Sequence, residues 1–320
     1  MVTYLNKEIK LSASRQLWAI TRSVLEINMY KTKKNGKKTK SHWDEFEALL
    51  KIVKFILKSL SLYDKGTERA RQIIPKKVSL EFDNLPEGFS GYKILHLSDL
   101  HIDALPNFED DVIRQIGDLQ YDICIMTGDY RKEIEGGFGQ IIEPMKKITS
   151  AIKCSDGTFA VLGNHDTYLM HTLENKMDIQ FLINESIKVS RNGSSILITG
   201  TDDPYSYYTV EAAHSLQADF DGFKIAAVHT PELKNIASEN DYKLYLCGHT
   251  HGGQICLPNG KPLITHQKEG SQYASGIWHE NGMIGYTHNG CGVSGIPVRY
   301  NSNGEVTIIE LLKKNRYENN

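Results

Sequence analysis

The chain has 320 residues, 40% hydrophobic and 24% charged, an ordinary balance for a folded globular protein that excludes disordered and collagen-like classes. Its formal net charge of −2 argues against a uniformly basic nucleic-acid binder, so no nucleic-acid partner is expected. Five cysteines without a CxxC pair argue against a disulfide framework.

Residues 1–30 are studded with Lys7, Lys10, Arg15, Arg22 and Glu26 and hold no continuous apolar run, so no secretory signal is expected. Leu17, Trp18, Val24, Leu25, Met29 and Tyr30 recur at helical spacing after the N-cap candidates Ser12 and Ser14. A lysine run follows (Lys31, Lys33, Lys34, Lys37, Lys38, Lys40), broken by Asn35-Gly36, and reads as an exposed loop. Ser41 and Asp44 form a candidate capping box for a second helix. Its apolar face would be Phe46, Leu49, Leu50, Val53, Ile56, Leu57 and Leu60, with Lys51, Lys54 and Lys58 opposite. Two readings of this hairpin stand: it packs on the main domain with its lysines in water, or it lies on an anionic membrane surface. No apolar stretch reaches the roughly 18 residues of a membrane span, so a cytoplasmic protein, peripheral on the inner membrane, is expected. Residues 1–77 are taken as this helical segment and residues 78–314 as the catalytic domain.

From Val78 onward the pattern turns strand-like and then alternates strands with helices. Helices are predicted over 110–119 and 141–152, and strands over 195–199, 224–228, 243–246, 283–286 and 306–311. Five short apolar runs each end in a polar motif. Ile94 to Leu97 precedes Asp99-Leu100-His101, Ile123 to Met126 precedes Gly128-Asp129, and Phe159 to Leu162 precedes Gly163-Asn164-His165-Asp166. Ile225 to Val228 precedes His229-Thr230-Pro231, and Leu244 to Cys247 precedes Gly248-His249-Thr250-His251. Polar groups just past strand ends converge on one edge of a sheet, where open α/β folds place their sites. Carboxylate, amide and imidazole groups are what divalent metals take as ligands. Two cations about 3.5–4 Å apart would neutralise a phosphoester and lower the pKa of a water between them. A carboxylate is the natural shared ligand, and Asp129 is the candidate.

The order D-x-H, G-D, G-N-H-D, H, G-H-T-H resembles the calcineurin-like metallophosphoesterase superfamily over about Tyr92 to Leu311. The string from Cys247 to Ile255 is similar to its bacterial membrane-associated phosphodiesterases, among them UDP-2,3-diacylglucosamine hydrolases of the lipid A pathway. The resemblance implies a four-layer α/β sandwich, two packed mixed β-sheets flanked by helices. It implies that Asp99, His101 and His251 hold one metal, that Asn164, His229 and His249 hold the other, and that Asp129 bridges. His165 would be the general acid, with Asp166 its supporting partner. The Gly-Asp motif continues as Tyr130-Arg131-Lys132, without the Asp-Arg pair of the superfamily's protein phosphatases. Arg131 would then either grip a substrate phosphate or sit solvated at the surface. Mn²⁺ is the first choice of metal, with Fe, Zn²⁺ and Co²⁺ as alternatives. The best-fitting substrate is lipid-linked, such as UDP-2,3-diacylglucosamine. A soluble nucleotide phosphodiesterase or small-molecule phosphatase is the second reading, and a non-catalytic metal-binding scaffold the third.

Structural roles are expected for His42, His171, His214, His266, His279 and His288, and a core or supporting role for His96. Cys247 is expected to be a small buried hydrophobe. Asp202-Asp203-Pro204 reads as a turn that supports the site, and Gly290, Gly292, Gly295 and Pro297 as a tight loop without chemistry of its own.

Overall fold

The computed structural model describes residues 13–34, 42–263 and 270–314. Three helices come first: α1 (Ala13–Lys34), α2 (His42–Ser59) and the unanticipated α3 (Tyr63–Ala70). Lys31, Lys33 and Lys34, expected in a loop, continue α1. Ser12, Asn35-Gly36, Lys37, Lys38, Lys40, Ser41 and His266 lie outside the described residues. The chain then runs β1 (Ile73–Phe82), β2 (Tyr92–Leu97), α4 (Phe108–Ile116), β3 (Ile123–Met126), α5 (Gly139–Ala151), β4 (Thr158–Ala160), α6 (Glu174–Met177) and β5 (Gln180–Phe181). It continues through β6 (Glu185–Arg191), β7 (Ser194–Gly200), α7 (Val210–Ser215), β8 (Phe223–Ala227), α8 (Lys234–Glu239) and β9 (Tyr242–Cys247). It closes with β10 (Gly276–Glu280), β11 (Met283–Thr287) and β12 (Gly304–Lys313).

The strands form two six-stranded mixed sheets, ordered β1-β12-β2-β3-β4-β5 and β10-β11-β9-β8-β7-β6. The central strands are buried on both faces, so successive side chains feed different cores. Ile94, Ile123, Ile125 and Phe159 of the first sheet meet Ile196, Ile198, Ile225 and Leu244 of the second. The alternate residues Leu95, Leu97, Cys124 and Met126 pack outward under Val112 and Ile116 of α4 and Ile141 and Met145 of α5. On the far side Ala226, Tyr245 and Cys247 lie under Ala212 of α7 and Ala237 of α8. The four layers follow directly: helices, sheet, sheet, helices.

β1 starts at Ile73, ahead of the predicted Val78, and pairs in parallel with β12 from Ile73↔Gly304 to Phe82↔Lys313. Its first half escaped the sequence pattern because β1 is an edge strand, where Pro75, Lys76 and Lys77 are tolerated.

Helix α1 packs by its polar face. Arg15, Trp18, Arg22 and Glu26 are buried, whereas Leu17, Ile20, Val24 and Ile27 face outward. Of the apolar residues read at helical spacing, Trp18 packs inward, whereas Leu17 and Val24 do not. The buried ions are all paired, which is what makes their burial tolerable. Arg15 binds Glu174 at 2.9 Å and Glu185 at 3.0 Å. Trp18 Nε1 donates to Asp202 at 2.7 Å, and the Arg22 guanidinium pairs with Asp202 and with Glu26. Replacing Arg22 with Ala strands a fully buried Asp202 carboxylate and should destabilise the fold by about 3–5 kcal/mol. Urea unfolding should show that loss, and the double variant R22M/D202L should recover most of it. A loss within error of zero for Arg22→Ala would mean that α1 is a loose appendage.

Candidate metal centre

The five motifs follow β2, β3, β4, β8 and β9, so both sheets deliver their polar residues to one shared edge. There the structure brings all seven predicted ligands together. Asp99, His101 and His251 present donor atoms within 4.8 Å of one another, as do Asp129, His229 and His249. Asn164 Oδ1 joins the second group, 3.1 Å from His229 Nε2 and 3.0 Å from His249 Nδ1. A single oxygen, Asp129 Oδ2, lies 3.6 Å from His101 Nε2 and 3.4 Å from His229 Nε2, between the two groups.

The backbone is bent to aim these side chains. Asp99, His101, Asp129, His249 and His251 all have positive φ, between 37° and 73°. Non-glycine residues rarely hold that conformation, and clusters of it mark functional sites. The loops also interpenetrate. A Cβ on Gly248 would stand 2.0 Å from Ser98 Oγ and 2.2 Å from Asp99 Oδ2, and one on Gly163 would stand 2.2 Å from Asp129 Oδ1. Each glycine is therefore the gap into which another motif's carboxylate fits. Gly248→Ala should displace Asp99 and lower metal content well below that of the unmodified protein while leaving the far-ultraviolet spectrum unchanged. Unaltered metal content would show that the loop yields freely.

Hydrogen bonds set the tautomers. A carbonyl can only accept, so His101 Nδ1 donates to the Arg131 carbonyl at 2.8 Å and His229 Nδ1 to the Thr127 carbonyl at 2.7 Å. Both rings then turn Nε2 to the centre. His101 Nε2 and His251 Nε2 face each other at 3.1 Å. Burial and neighbouring His165 push His101 down to about 4, and burial together with His101 holds His251 well below the usual imidazole range. Two neutral imidazoles thus converge on one point. Burial pushes Asp99 up to about 6. Burial would raise Asp129 as well, but His229 and His165 outweigh it and hold that carboxyl well below the usual range. Converging lone pairs on imidazoles, an amide oxygen and two carboxylates fit divalent cations on both sides of Asp129.

Asp166 does not touch the His165 ring. Its carboxylate accepts the backbone N–H groups of Asp129 at 2.8 Å, Tyr130 at 3.0 Å and Gly163 at 2.8 Å, and so ties two motif loops together. Arg131 is neither solvated nor free to fork onto a phosphate. It is 1% exposed, and its nitrogens donate to the carbonyls of His165 at 2.6 Å, Gly136 at 2.9 Å and Ile134 at 2.5 Å. Asp202 and Asp203 lead into a turn at residues 204–206, and Asp202 pairs with Arg22. Both are fully buried, with Asp203 accepting from the N–H groups of Tyr205 and Ser206 at 3.1 and 2.8 Å.

His165 stands at the mouth. Its Nδ1 donates to the Lys132 carbonyl, and its Nε2 lies 4.0 Å from Asp129 Oδ2. Arg22 was missed by the sequence reading: it reaches from α1 to the Gly163 carbonyl at 3.3 Å and the Asp166 carbonyl at 2.9 Å, the two ends of the turn that carries Asn164 and His165. Arg299 was missed too. It donates to the carbonyls of His251, Asn289, Gly290 and Gly292, and so packs the glycine loop behind the metal ligands. Tyr205, also unanticipated, has its ring 4.5 Å from that of His249. A buried arginine leaves no mark in sequence that separates it from a solvated one. Cys247 is buried against Thr287, as expected of a small hydrophobe.

The calcineurin-like phosphoesterase profile matches residues 92–253. The chain is similar to the uncharacterized metallophosphoesterase YkuE of Bacillus subtilis (strain 168), 27% identical over 72% of this chain and 82% of that protein. It is also similar to the phosphodiesterase YaeI of Escherichia coli (strain K12), 27% identical over 69% of this chain and 82% of that protein. Among solved structures, calcineurin-like phosphoesterase YfkN from Bacillus subtilis aligns over 62% of this chain and 81% of that one, with a TM-score of 0.38 and 13% identity.

Proposed function

The chain belongs to the calcineurin-like phosphoesterase family and is a metal-dependent phosphoesterase; from that premise we propose that it cleaves a phosphodiester or pyrophosphate bond in a lipid-linked substrate, such as UDP-2,3-diacylglucosamine, at the inner surface of a membrane. The observation that carries the chemical part is the position of Asp129 Oδ2 between two groups of buried donors. Asp99, His101 and His251 would hold one cation and Asn164, His229 and His249 the other, with Asp129 shared. Mn²⁺ is the ion we propose, since mixed imidazole, carboxylate and amide donors suit it. When bound, such a pair neutralises phosphoryl charge and makes water a competent nucleophile near neutral pH.

The protein's own residues do the rest. The Lys132 carbonyl fixes the His165 ring with Nε2 toward the centre, where the protonated form gives its proton to the leaving oxygen. Arg131 and Arg22 hold the carbonyls around His165, and Asp166 holds the adjoining turn, so the acid is positioned before substrate arrives.

The lipid part rests on the first two helices. Leu17, Ile20, Val24 and Ile27 of α1, with Leu49, Ile52, Phe55 and Ile56 of α2, are exposed although apolar. Lys51, Lys54 and Lys58 line another face of α2 and are exposed as well. Each basic side chain near an anionic surface contributes about 1 kcal/mol, in addition to apolar insertion. No helix among the described residues is long and apolar enough to cross a membrane, so attachment would be peripheral. Changing Lys51, Lys54 and Lys58 to Glu should abolish co-sedimentation with anionic liposomes and leave hydrolysis of a water-soluble ester unchanged. If the unmodified protein ignores such liposomes at low salt, the soluble nucleotide phosphodiesterase or small-molecule phosphatase reading replaces the lipid one.

A further inference from the structure

Beside the metal centre lies a second cavity of about 160 Å³, between α2 and the turns at residues 250–255 and 294–296. Leu50 and Val53 of α2 form one wall, and Ile255, Leu263 and Ile296 form the other. None of the residues lining it is an acid, a lysine or an arginine. Of the polar groups that border it, Thr250 Oγ1 donates to the Ala274 carbonyl at 2.5 Å and Gln254 Nε2 donates to the carbonyls of Ser294 at 2.9 Å and Ile296 at 2.7 Å, while the buried His251 Nδ1 has no hydrogen-bond partner among the described residues. Gln254 Oε1 accepts the Ser294 N–H at 2.9 Å. Away from His251 the site therefore offers mainly apolar contact.

Two features identify the occupant. His251 belongs both to the cavity wall and to the metal-ligand cluster, so the cavity adjoins the phosphoryl site at that residue. Outward, α2 continues from the wall residues Leu50 and Val53 into the exposed apolar residues Leu49, Ile52 and Ile56. We propose that the cavity binds an alkyl chain carried by the substrate itself, on the side of the phosphoryl group nearest His251. This rests on the phosphoesterase reading for where the phosphoryl group sits. It also gives α2 a part in choosing the substrate.

The test is a binding series of n-alkyl phosphonates, ethyl to octyl, on the Mn²⁺-loaded full chain by calorimetry. Burying one methylene should tighten binding about fourfold, so affinity should climb with chain length and level off once the cavity is full. Val53→Trp, which fills the cavity, should flatten the series, whereas Ile52→Trp, on the exposed face, should not. Leu50→Ala, which enlarges the cavity, should move the plateau to a longer chain. Affinities independent of chain length in the unmodified protein, or a slope retained in Val53→Trp with an unmoved plateau in Leu50→Ala, would overturn the proposal. Hydrolysis of bis(4-nitrophenyl) phosphate, which has no alkyl chain, is followed in parallel. Turnover with a flat series removes the alkyl site alone, and a rising series without metal-dependent turnover removes the phosphoesterase reading alone.

Discussion

Asp129→Asn is expected to abolish hydrolysis and to lower metal content at the same time. Asp129 Oδ2 lies near a donor from each group, 3.6 Å from His101 and 3.4 Å from His229. Removing its charge therefore weakens both groups at once. Asn has nearly the same shape, and its oxygen can still accept the His165 N–H that Asp129 Oδ1 accepts at 2.8 Å, so the loop should survive. The loss is then electrostatic: several kcal/mol of transition-state stabilisation, or about 10³-fold or more in kcat. His251→Ala should also inactivate, by removing an imidazole from one group only. Metal content by elemental analysis and kcat on the same preparations check the pair. Full activity in metal-depleted Asp129→Asn protein would contradict a shared bridging carboxylate.

His165→Ala should separate metal binding from catalysis. The ring meets that of His101 edge-on, 4.8 Å between centroids, and its Nε2 is 4.0 Å from Asp129 Oδ2, but it is not one of the seven donors, so both metals should remain. The rate on an alkyl ester should fall about 10²–10⁴-fold, the usual contribution of general acid catalysis. With a nitrophenol leaving group, which departs without protonation, the loss should shrink to a small factor. An equal loss on both substrates would mean that His165 binds the phosphoryl group and gives no proton.

What was legible in the sequence follows from burial. The central strands β2, β3, β8 and β9 are apolar on both faces and stood out as runs, each with its motif just beyond the end. The strands missed or misplaced, β1, β5, β6 and β10, are the four sheet edges. Edges are short or partly polar, β6 alternating intermediate and exposed positions with only Val189 buried, so their pattern resembles a loop. Helix α1 failed for a different reason. Apolar periodicity assumes that the greasy stripe faces the core, and here Arg15, Arg22 and Glu26 do so because each has a partner on the domain, Glu174, Asp202 and Thr167 in turn. The same blindness covers the centre. The family resemblance implied the seven donors, but the work of Arg22, Arg131, Asp166 and Arg299 includes bonds to backbone groups far along the chain, which no local pattern encodes.

The most direct measurement is a metal titration of stripped protein, following bound Mn²⁺ per chain and hydrolysis of bis(4-nitrophenyl) phosphate in the same samples. Two buried donor groups around one carboxylate lead to no turnover in the stripped protein and a rise that levels off at two ions bound per chain. Full turnover without metal, or a maximum reached with one ion bound, would contradict a two-metal phosphoesterase centre.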